Sequence, residues 1–151
     1  MKETELFELA ENLLEAPCYV VDYLPRQVPA DCGEQYWAVD RYYREPARLA
    51  SHHRKLADLL IKLSCYYDLV LGDGTCWTES PSPALLLERI TRCAEGGFVH
   101  VLIPAEQALI TLFGDDLNLT IYHPSEALLE TTRALAASNG LFLWQPPQQS
   151  G

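Results

Sequence analysis

A chain of 151 residues suits one domain with a sizeable core. Its composition, 48% hydrophobic and 21% charged, excludes a disordered chain, and its apolar runs, such as 69–71 and 101–103, fall far short of the roughly 20 residues of a membrane span. The net charge of −10 disfavours nucleic acid as a partner, because an acidic surface repels phosphates.

The first predicted element is a helix over residues 3–16. Leu6, Leu9 and Leu13 recur at helical spacing, Phe7, Ala10 and Leu14 widen the stripe, and Pro17 ends it. Residues 18–24 predict a strand through Tyr19, Val20, Val21 and Tyr23. Pro25, Pro29 and Gly33 then mark a loop. Residues 36–44 read as a helix in preference to a strand, since Tyr36, Val39 and Tyr43 fall on one helical face. Pro46 suits the first turn of the next helix, whose stripe of Leu49, Leu56, Leu60 and Leu63 reaches Cys65.

Residues 68–71 predict a strand and 72–74 a turn. A helix capped by Ser80 is expected to begin near Pro81 and run to Glu95, where Gly96 and Gly97 stop it. The strand 98–103 follows. A hairpin of 108–113 and 117–122 is expected around Gly114, Asp115 and Asp116, with Leu117, Leu119 and Ile121 alternating against Asn118, Thr120 and Tyr122. Pro124 opens a helix that Gly140 closes, and 141–144 is the last strand before a frayed tail from about 146. Neither an internal repeat nor a linker is evident. The expectation is a single α+β domain over 1–151, with a mixed or mainly antiparallel sheet of about five strands and helices packed on it.

The five cysteines, Cys18, Cys32, Cys65, Cys76 and Cys93, are odd in number, widely spaced and free of any C-x-x-C pair. Free thiols in a reducing compartment are the expectation, rather than a disulfide framework or a zinc site. With an acidic start that lacks a signal-type apolar core, this predicts a cytoplasmic protein. Residues 41–62 carry a local charge of +4, read either as a solvated helix face or as a local docking surface.

Catalytic and ligand motifs are thin. Gly74-Thr75-Cys76-Trp77 resembles the Gly-x-Cys-Trp segment around the nucleophile of papain-like cysteine proteases, which implies Cys76 as nucleophile with His100 or His123 as base. Pro81 and Pro83 forbid the continuous helix through Cys76 that would lower its thiol pKa. His52 and His53 are adjacent and should point to different helix faces, with His52 at the core edge bonded to a backbone carbonyl. No metal ligand set and no cofactor are expected. Gly72-Asp73-Gly74 has neither the glycine pattern nor the lysine of a phosphate cradle. Asp115 and Asp116 read as turn formers.

Tyr36, Trp37, Tyr42 and Tyr43 stand beside arginines, a residue mixture that dominates the anchors of protein interfaces when it is not core. The run Ser138-Asn139-Gly140-Leu141-Phe142-Leu143-Trp144-Gln145-Pro146 resembles the helix, Gly-Leu and closing strand that end many small bacterial toxin-immunity proteins. That resemblance implies a compact, acidic, cytoplasmic protein without catalytic residues. The expected function is a non-catalytic protein-binding module, such as an immunity-type inhibitor of a basic partner protein. Candidate partner-binding residues are Tyr36, Trp37, Tyr42, Tyr43, Asp73, Asp115 and Asp116. The alternatives are a small thiol hydrolase using Cys76 with His100 or His123, and a homo-oligomeric structural protein.

Overall fold

The computed structural model describes residues 1–147. Five helices and seven strands follow one another as α1 (Glu3–Leu13), β1 (Cys18–Asp22), α2 (Glu34–Tyr43), α3 (Pro46–Leu63), β2 (Val70–Gly72), β3 (Trp77–Glu79), α4 (Pro83–Arg92), β4 (Phe98–Ile103), β5 (Ala108–Phe113), β6 (Leu119–Tyr122), α5 (Glu126–Ser138) and β7 (Phe142–Trp144). The fold is α+β, with every strand pair antiparallel and the order β3-β2-β4-β5-β6-β1-β7.

The sheet is larger than the expected five strands. Part of the difference is β3, a three-residue strand close to Ser80, Pro81 and Pro83, where local sequence reads as loop. Pairing of Leu71 with both Thr78 and Val101 draws that segment into the ladder. The same pairing takes Gly72 into β2, so the turn starts at Asp73. The expected helix cap at Ser80 is also displaced. Ser82 is the cap, its hydroxyl accepting from the backbone N–H of Leu85 at 3.1 Å, and α4 opens on Pro83. The frayed-tail expectation for 148–151 lies outside the described residues.

Alternation along the strands sorts side chains onto two faces. Val21, Leu71, Val99, Val101, Ile103, Ile110, Leu112, Leu119 and Ile121 join Leu56, Leu59, Leu60 and Leu63 of α3, Leu86 and Ile90 of α4 and Leu128 of α5 in the main core. The opposite face carries Val70, Leu102 and Leu109, covered by Leu6, Ala10 and Leu13 of α1. Helix α2 belongs to neither layer. It contributes no residue to either core, and its one buried residue is Asp40.

Candidate docking site at helix α2

An amphipathic helix normally buries its apolar stripe and wets its charges. Helix α2 departs from this: Glu34 and Arg41 are exposed and Tyr36 and Val39 half-buried, but its buried residue is an aspartate. Trp37 is 56% exposed, Tyr42 48% and Tyr43 37%, while Asp40 is 8% exposed. Asp40 tolerates burial because Arg44, one turn on, donates Nε–H to its Oδ2 at 2.8 Å. The same guanidinium reaches Asp115, with Nη1 at 2.7 Å from Oδ1 and 3.0 Å from the backbone carbonyl oxygen.

The 114–118 loop is held a second time from α3. His52 Nε2 donates to the Leu117 carbonyl at 2.5 Å, as expected of a core-edge histidine. His53, expected on a different face, is nevertheless fully buried and donates Nε2–H to the Asp116 carbonyl at 3.0 Å. The loop covers both faces at that point, a tertiary contact that helical periodicity cannot reveal. Burial lowers the pKa of both rings and raises that of Asp116.

Of the seven candidate docking residues, six gather here. Tyr36, Trp37, Tyr42 and Tyr43 lie on α2, and Asp115 and Asp116 are tied to α2 and α3 by the contacts just described. Asp73 stands apart, in the turn between β2 and β3 near the far edge of the sheet. Its carboxylate accepts from Thr75 Oγ1 at 2.7 Å and from the backbone N–H groups of Thr75 and Cys76, and pairs with Arg89 at 2.9 Å. Those donors, Thr75 first, pull its pKa down to about 2. These bonds close the turn.

The aromatic groups form two sets. Tyr36 and Trp37 meet edge to face at 5.1 Å, Tyr42 and Tyr43 do so at 5.1 Å, and Tyr43 leans on Tyr23 at 5.2 Å. Arg48 stacks on Tyr42 with its guanidinium carbon 3.7 Å from the ring centroid and pairs with Glu45. The basic stretch around α2 is thus partly neutralised in place. At the other end of α2 the loop 24–33 leaves a crevice of about 530 Å3 between itself, the first helical turn and β7. Sequence reading missed this crevice, whose walls come from segments more than a hundred residues apart.

The thiol candidates do not assemble. Cys76 is exposed in the β2–β3 turn. His123 follows β6 at the other end of the strands, donating Nδ1–H to the Gln107 carbonyl at 3.0 Å. His100 lies in the middle of β4, opposite Gly72, with Nε2 buried and unbonded and its pKa lowered by burial. Among the described residues, neither histidine hydrogen-bonds Cys76, and no group of three or more His, Cys, Asp or Glu side chains is placed to hold a metal ion. Among the described residues, no helix is long and apolar enough to cross a membrane.

No match was found to a protein-family model, to a curated protein or to a solved structure.

Proposed function

We propose that this protein is a non-catalytic protein-binding module that docks a basic protein through α2, with an immunity-type inhibitor as one form the function would take. A single observation carries the reading: α2 buries an aspartate and turns a tryptophan and two tyrosines outward. Burying Asp40 and exposing Trp37 runs against the solvation preference of both groups. Large aromatics that are rigid, amphipathic and clustered are the residue types that anchor interfaces. The chain's charge of −10 adds long-range attraction toward a basic partner. The acidic charge also suits the immunity resemblance of the chain's last segment.

The test is photo-cross-linking inside the native cell. A photoreactive residue replaces Trp37 in one strain and exposed Glu130, on α5, in another. One protein of basic pI, captured repeatedly from position 37 and not from 130, is the expected result. Identical capture from both positions, or none from 37, would overturn the docking reading. A self-adduct from position 37 would put a homo-oligomer in its place.

A further inference from the structure

We infer that the crevice at the N-terminal end of α2 receives an arginine side chain from a basic segment of the partner protein. The inference rests on the docking reading above and specifies the chemistry at one end of the same surface. The crevice has a volume of about 530 Å3, within the roughly 300–1,000 Å3 usual for ligand sites. Aromatic side chains from two segments, Tyr36 and Trp37 of α2 and Trp144 of β7, contribute to its walls. The Trp144 indole N–H is spent on the Leu24 carbonyl at 3.1 Å, which pins loop to sheet and leaves the ring as a wall.

The charged groups of the lining are Asp22 and Asp31, and among the described residues no lysine, arginine or histidine lines it. Asp22 is half-buried at the end of β1. Its Oδ1 accepts from the Tyr23 backbone N–H at 2.8 Å, and no cation of the described residues forms an ion pair with it. Burial, with a further push from Asp40, raises its pKa. Asp40 itself has Arg44; Asp22 has no equivalent. A half-buried carboxylate without a counter-ion is the group that gains most when a cation enters.

Arginine fits these walls better than lysine. A guanidinium stacks on aromatic faces and offers a planar fork of donors to a carboxylate, whereas an ammonium keeps its hydration more tightly. A protein-borne arginine fits better than a free small cation, because the crevice is flanked by exposed Trp37, whose ring meets Tyr36 edge to face. The rest of a bound segment has apolar surface to lie on.

The experiment uses the isotope-labelled full chain and an acetylated, amidated tri-arginine peptide, followed by amide and indole N–H resonances. Saturable shifts at the Trp37 indole and at the amides of Asp22, Asp31 and Tyr36 are expected. The matched tri-citrulline peptide, which keeps shape and loses charge, should shift none of them. Asp22→Asn should weaken binding at least about tenfold, the loss of one charge-assisted contact. Should that variant fail to fold, Asp31→Asn is used, with a severalfold loss expected. Equal response to citrulline, no saturation at these residues, or unchanged affinity in a folded variant would overturn the inference. Capture of a basic protein from position 37 alongside any of those results would leave the docking reading standing and this inference alone refuted.

Discussion

Gly72 lies under the ring of Trp77, its cross-strand partner. A Cβ built at that position would come within 2.5 Å of the ring, closer than any real contact. The indole has little room to retreat, because Phe7 of α1 stands edge-on to it at 5.4 Å. Gly72→Ala should therefore displace the ring and cost about 1–3 kcal/mol by overpacking, with a red-shifted tryptophan emission in the folded variant. An unshifted spectrum with unchanged stability would show that the ring swings freely. Sequence reading took Gly72 as a turn former, since a lone glycine beside Asp73 and Gly74 looks the same in a turn and in a crowded strand. The His52–His53 pair shows the same boundary. The environment of His52 followed from the leucine stripe, and that of His53 did not, because the 114–118 loop that buries it arrives from over sixty residues away.

Helices α2 and α3 are neighbours in sequence with opposite packing. Leu56, Leu59, Leu60 and Leu63 of α3 have no exposed surface, and periodicity alone placed Leu56, Leu60 and Leu63 inside. Periodicity also set Tyr36, Val39 and Tyr43 on one face of α2, but it could not say that this face would be only half covered. The two helices should separate cleanly in a stability experiment. Leu56→Ala leaves a cavity under the sheet and should cost about 2–5 kcal/mol. Trp37→Ala removes an exposed ring and should stay within about 0.5 kcal/mol of the parent while losing the partner. Chemical denaturation of both variants decides it, and a Trp37→Ala loss comparable to that of Leu56→Ala would make the ring core rather than docking surface. At the ends of elements, β3 and the start of α4 escaped sequence reading for related reasons. A three-residue strand has too few positions to show alternation, and Ser80-Pro81 and Ser82-Pro83 present the same cap signal twice.

At the scale of the whole molecule, protonation couples the buried histidines to stability. Burial holds His52, His53 and His100 below the ordinary 6.5, so each is neutral when folded over a range where the unfolded chain begins to take up protons. Stability from these rings is complete above about pH 7 and falls as pH drops through 6.5 toward the lowered values. Asp22 and Asp116 act oppositely. Burial raises them above 3.8, so their contribution is present at low pH and is lost as pH rises through the window above 3.8. The self-repulsion of a chain at −10 also eases on acidification, toward the pI near 4.7. A single melting curve mixes these effects, and a variant separates them. His53→Gln keeps a donor for the Asp116 carbonyl and cannot titrate. Between pH 7.5 and 5.5 the parent Tm should fall relative to that of His53→Gln in parallel thermal melts; parallel pH profiles would mean that His53 is not held neutral.

The antiparallel meander of β4, β5 and β6 joins strands adjacent in the chain, and it was the most legible part of the sheet. The position of β1 was not legible, because it pairs across nearly the whole chain. Tyr19 faces Ile121 on one side and Val21 faces Leu143 on the other. A ribosome delivers residues 18–22 well before residues 119–122 and 142–144, which form the two neighbours. Until β6 emerges Val20 and Val21 have no strand partner, while the β4-β5-β6 meander can close behind them. Completion of the sheet then waits on β6 and β7. The early-made strand waits unpaired until those residues emerge, exposed to whatever holds or misdirects a nascent chain.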